Sequence, residues 1–160
     1  MPNHRTTLGA RQIRLGEIVR IQFDVDPPCG GIVSETMWGE KVAERRYRLR
    51  NVPFHVFGVS EHDIVFADHV RGVLSFAGVS LHAGHSTYRI LKARHLDPAV
   101  FSRHWQPLKQ LGCSHESDGA GLVAVDVPPQ AEVRAVQDLL LAGENAGVWK
   151  FEEGHCRHAP

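Results

Sequence analysis

Charge imbalance is absent from this chain: Lys plus Arg and Asp plus Glu each total 18 in 160 residues, so the formal net charge is zero. No global field steers it toward nucleic acid or an anionic membrane, and neither is expected as a partner. Cysteine is scarce. Cys29, Cys113 and Cys156 are odd in number, far apart and outside any CxxC pair, so neither a disulfide framework nor a Cys-rich zinc site is indicated. That usage fits a reducing, cytoplasmic compartment. No apolar run approaches the roughly 18 residues of a membrane helix, and the start, with Arg5, Arg11 and Arg14, lacks the apolar stretch of a signal peptide. Missing too are a Walker A loop, GxGxxG, a GxSxG elbow, HExxH and a Cys-His nucleophile signature. The familiar nucleotide and hydrolase classes are unsupported, and no metal or cofactor is expected.

What is present is alternation. Ile18, Val19, Ile21, Phe23 and Val25 predict a half-buried strand over 17–25, broken by the turn-forming run 26–31. A second strand is expected over 32–42. In a third, from Arg45 to about Val52, Tyr47 and Leu49 alternate with Arg46, Arg48 and Arg50, which puts three guanidiniums on one face. The apolar run 53–58 contains Pro53 and Gly58 and reads as an edge segment or bend. Ser60 and Asp63 have the spacing of a capping box, predicting one helical turn before further strands over 64–66 and 72–81.

From Ser86 onward the order is clearer. A strand over 86–93 precedes Asp97-Pro98, an N-cap and first-turn pair, and the stripe Phe101, Trp105, Leu108, Leu111 ends at Gly112. Two short strands, 113–117 and 122–127, flank the turn at 118–121. Pro128-Pro129 is expected to open a second helix with Val133, Val136, Leu139 and Leu140 on its apolar stripe and Gly143 near its end, before a strand over 148–153. The predicted fold is α+β: a small N-terminal β-barrel or meander, then a ferredoxin-like β-α-β-β-α-β half. The expected divisions are a disordered tail over 1–16, a β-rich lobe over 17–83, a ferredoxin-like lobe over 84–154 and a tail over 155–160. An RNA-binding domain would share the second topology, but LVAVDV at 122–127 offers no stacking aromatic.

The densest polar cluster is Gly84-His85-Ser86-Thr87-Tyr88-Arg89. Neighbouring strand residues point to opposite faces, so His85 cannot readily deprotonate Ser86; His85, Thr87 and Arg89 share a face instead. That face suits an anion or carbonyl, with Arg89 as a fork donor and His85 as a proton shuttle, or it is turn chemistry with Arg89 in water. Trp38 reads as a packing anchor or a ligand platform, and Glu35 as solvent-facing. His55, His62-Asp63 and His82 supply imidazoles beside carboxylates, and 152–158 adds mixed ligands near a chain end, where donors are poorly preorganised.

Beyond these readings, YRLRNVPF at 47–54, Gly58-Val59-Ser60, Asp63-Ile64-Val65, GHSTYR at 84–89, Leu111-Gly112-Cys113, AVDVP at 124–128 and WKFEEG at 149–154 resemble the family known as domain of unknown function 4265. The resemblance runs from about Ile18 to Gly154 and implies a short, stand-alone bacterial protein of actinobacteria and their relatives. It carries no activity, cofactor or catalytic residue. His55 and Glu61-His62 depart from the aromatic or small residue and the Gly-rich turn that the resemblance implies.

The leading expectation is a binding module, immunity-like or regulatory, holding a small molecule or protein segment in a groove between the lobes lined by Trp38, Asn51, His85, Thr87 and Arg89. The alternative is a small enzyme with His85 as general acid or base, Asp63 orienting it and Arg89 anchoring a carboxylate or phosphate. A monomer or a small homo-oligomer paired through a sheet edge fits either.

Overall fold

The computed structural model describes residues 11–158; the rest of the two expected tails lies outside the described residues. Five strands, β1 (Ile18–Cys29), β2 (Ile32–Ala43), β3 (Arg46–Leu49), β4 (Ile64–Val70) and β5 (Val73–Leu81), run as an antiparallel meander. They close into a barrel where β1 meets β5 in parallel at Gln22 and Ser75. Closure buries one side of each strand: Ile21, Phe23, Met37, Tyr47, Leu49 and Val65 form the core, and the guanidine-bearing positions of β3 face out. Gly39 is required at the crossing of β1 and β2, because a Cβ there would lie 2.4 Å from Ile21 Cδ1.

β1 runs past its expected end. Pro27 and Pro28 stay extended, since proline's fixed φ is compatible with an edge segment that forgoes an amide, and pairing slips between Asp24 and Cys29 before the Gly30-Gly31 turn. β3 is shorter than expected because 51–59 leaves the sheet as a loop. Residues 11–16 of the expected N-terminal tail lie along the barrel: Ile13 packs on its core and accepts a hydrogen bond from Lys41 Nζ at 2.8 Å.

The chain then forms β6 (Ser86–Lys92), α1 (Pro98–Gln110), β7 (Ser114–Ser117), β8 (Leu122–Val127), α2 (Val133–Asn145) and β9 (Trp149–His155). Sheet order is β7-β8-β6-β9, every neighbouring pair antiparallel. Asp97 caps α1 by accepting from the Ala99 amide at 2.9 Å. α2 starts later than Pro128-Pro129 predicts: Ala131 N donates to Pro128 O in a turn, and the helix begins after Glu132. Trp105, Leu108, Val136 and Leu140 pack on Tyr88, Ile90, Val123, Val125 and Trp149. Full burial of each large side chain contributes about 1.5–3 kcal/mol. Gly143 lies inside α2 to admit Trp149, whose ring would stand 2.2 Å from an added Cβ.

Even-numbered residues 88 and 90 of β6 therefore face the helices. Thr87 and Arg89 face the other way, toward the barrel loop 51–63, where they bond Ser60 and the Val56 carbonyl.

Candidate functional site

In the β6–β8 register Thr87 pairs with Asp126, which puts both side chains on the barrel side of the sheet, and His85 two residues earlier lies on that side too. His85 Nδ1–H donates to both oxygens of Asp126, at 2.8 and 3.0 Å. The carboxylate thus sets the tautomer, leaving Nε2 as the proton-accepting atom. The turn between β3 and β4 brings His62, in the left-handed region at φ 70°, so that its ring centroid lies 4.8 Å from that of His85. Glu61 and Glu116 complete the group. Burial raises the Glu61 carboxyl above its usual range, and nearby Asp126 raises it further. Asp126 is raised first by burial, against the pull of His85. Burial also raises Glu116, which accepts from Val52 N at 3.4 Å and so ties the loop to the sheet. Burial and then Asp126 push the Cys113 thiol up to about 11.

Asp63, fully buried, orients a different histidine from the one expected. Its oxygens accept from Ser60 N at 2.9 Å, Ala83 N at 2.8 Å and His82 Nδ1–H at 3.0 Å. Ser60 N to the Asp63 carboxylate is one arm of the expected capping box. The other arm is missing because Ser60 Oγ bonds Thr87 Oγ1 at 2.7 Å, and the segment is a turn rather than a helix. His82 stacks on His155 with centroids 5.1 Å apart. Arg157 donates through Nε to His155 Nε2 at 2.8 Å and through Nη2 to His82 Nε2 at 2.5 Å.

Arg89 is 2% exposed. Its guanidinium donates to Val56 O and to Glu152 Oε1 and lies over the Phe57 ring, 4.5 Å from the centroid. Gly154 makes room for it, since a Cβ there would be 3.2 Å from Arg89 Cζ. Trp38 is 44% exposed on the outer wall of the barrel, with Arg20 over its ring, and its amide donates to Asn51 Oδ1 at 2.7 Å. The expected site residues thus fall into three groups: His85, Thr87 and Arg89 in the seam between barrel and sheet, where the unforeseen Asp126 joins them, Trp38 with Asn51 at the barrel edge, and Asp63 apart from both. Asp63 sits beside His82.

Two placements differ from sequence reading. Glu35 is half-buried, not solvent-facing, because its carboxylate accepts the amides of Phe54, His55 and Val56 at 2.7, 2.9 and 3.0 Å. A loop with Pro53 at its head leaves three consecutive N–H groups without sheet partners, and a fixed anion satisfies them. Ser86 does meet a histidine, but a distant one. Its Oγ lies 2.6 Å from His158 Nδ1, whose ring donates from Nε2 to Pro128 O at 2.8 Å, and Arg157 N donates to the same Oγ. Ser86 is fully buried beneath that segment.

Comparison with known proteins adds fold and family. The family described as domain of unknown function (DUF4265) matches residues 35–151. A solved structure described as a novel crystal structure of a hypothetical protein from Neisseria gonorrhoeae is similar at TM-score 0.69 and 15% identity, covering 93% of this chain and 100% of that one. At that identity the likeness concerns the fold alone. A search of curated proteins finds no match. Among the described residues, no helix is long and apolar enough to cross a membrane.

Proposed function

From the premise that the chain belongs to the DUF4265 family, we propose that it is a binding module whose small ligand is met at the seam between the barrel and the second sheet, at His85. The carrying observation is the two-oxygen grip of Asp126 on His85 Nδ1, which holds one imidazole edge and leaves the other to the ligand. Asp126 on the held edge, with Glu61 and Glu116 close enough to interact with it, makes the surroundings acidic, which favours a ligand carrying an amine or another hydrogen-bond-donating head. Thr87 and Arg89 support the site from below: one bonds Ser60, the other clasps the Val56 carbonyl, and together they hold the loop that carries His62. In this reading Arg89 positions the loop, and the second sheet with its two helices is a ferredoxin-like platform, a reading supported by the strand order β7-β8-β6-β9.

The test is a thermal-shift screen of small amines, amino acids and carboxylates against the wild-type chain, His85→Ala and Asp126→Asn. A ligand that prefers the folded state raises the melting temperature by mass action. The expected result is a compound class that shifts wild type and neither variant. A shift that survives both substitutions, or none with any compound, sinks the reading.

The same pair favours a second reading, a small enzyme with His85 as general acid or base, because a carboxylate-held imidazole is suited to pass a proton through its free nitrogen. Turnover of a compound found in the screen, lost in His85→Ala while binding survives, would select it.

A further inference from the structure

On the far side of Asp63 from the seam, three donor-bearing residues meet from separate parts of the chain: Asp63 before β4, His82 after β5 and His155 at the end of β9. One ligand atom from each lies within 4.8 Å of the others. Arg157 shows how the rings are set. A guanidinium only donates and keeps its charge, so both imidazole nitrogens it touches present lone pairs. His82 carries its proton on Nδ1, facing Asp63. Both rings thus turn a nitrogen lone pair toward one cation, Arg157; on His82 the atom beside Asp63 is the proton-bearing Nδ1, so ligation there requires that proton to move to Nε2 as Arg157 leaves.

We propose that Asp63, His82 and His155 form a site for one first-row divalent cation of the zinc or cobalt kind, for which Arg157 is the built-in competitor. Two imidazoles and one carboxylate, with room for water, are the donor set of an open three-ligand site. Two nitrogen donors of three disfavour Mg²⁺ and Ca²⁺, which take oxygen. Asp63 is fixed by the Ser60 and Ala83 amides and would exchange its hydrogen bond from His82 Nδ1 for the ion. Metal–ligand bonds of about 2.1 Å put tetrahedral donors roughly 3.4 Å apart, so donors that now lie within 4.8 Å of one another must close in by up to about 1.4 Å as Arg157 swings away.

The experiment is titration of the full, untagged chain with Co²⁺, read by visible absorption, and with Zn²⁺, read by calorimetry. Wild type should take one equivalent. His82→Ala and His155→Ala should each weaken binding at least tenfold, and Arg157→Ala should tighten it, which loss of structure would not do. Circular dichroism melts check that each variant folds; if His82→Ala does not, His155→Ala against Arg157→Ala still decides. Absence of saturable one-equivalent binding in both wild type and Arg157→Ala overturns the proposal. So does binding that is unchanged in His155→Ala but lost in His85→Ala, which would move the ion to the seam.

Discussion

The two faces of β6 are built on opposite principles. Toward the helices, Tyr88 and Ile90 enter an apolar core of Trp105, Leu108, Leu140 and Trp149, where energy scales with buried area. Toward the barrel, His85, Thr87 and Arg89 meet Asp126, Ser60 and Val56 O in paired polar contacts, worth about 0.5–1.5 kcal/mol net between neutral groups, about 1.5–3 kcal/mol where one is charged, and costlier to leave half-made. One strand therefore carries stability on one side and placement on the other, so substitutions on the two faces should differ in size and in what they change.

The largest effect belongs to the helix side. Leu140→Ala, at a fully buried position, should cost about 2–5 kcal/mol in urea unfolding while leaving the ligand preference of the surviving fold intact. A cost under 1 kcal/mol would break the contrast. Arg89→Met should come next, at about 1–3 kcal/mol, because the Val56 carbonyl loses a buried donor; increased proteolysis confined to 53–58 would show that the loss is local.

Thr87→Val should cost about 1 kcal/mol by stranding Ser60 Oγ, and much of that should return in the double variant with Ser60→Ala. Strict additivity would show that the pair is not coupled. Glu116→Gln should be mildly stabilising at pH 7. Its carboxyl is raised in the folded state, so the favourable contribution is fully present below the unfolded value of about 4.3 and is lost as pH rises through the folded one. The gap between variant and wild type in melting temperature should therefore shrink on acidification; a gap that widens would refute the assignment. Smallest of all, His85→Gln, whose side-chain amide can still donate to Asp126, should shift stability by less than about 1 kcal/mol while abolishing any ligand-induced shift.

Much of this contrast was legible in the sequence and much was not, for a physical reason. Period-two runs disclosed the barrel strands, Asp97-Pro98 the start of α1, and the 85, 87, 89 alternation which residues would stand on the barrel side of β6. Pairings across long sequence separations have no local signature. Asp126, 41 positions from His85, was hidden in LVAVDV, although a lone carboxylate in an otherwise apolar strand is itself a signal that a partner must exist. Asp63 bonds His82 and not His85, a choice that nearness in sequence does not decide. Pro27-Pro28 carries the composition of a stop, yet such residues are also tolerated in an extended edge, where they lie.

Glu35 carries a consequence for how the molecule breathes. Its carboxylate belongs to β2, yet it holds the three amides at 54–56, so those hydrogens are released to solvent only when the barrel wall gives way. In a hydrogen-exchange record, a loop of this kind should keep time with the barrel's slowest strands and not with the surface, making three amides outside any strand a gauge of how often the barrel opens.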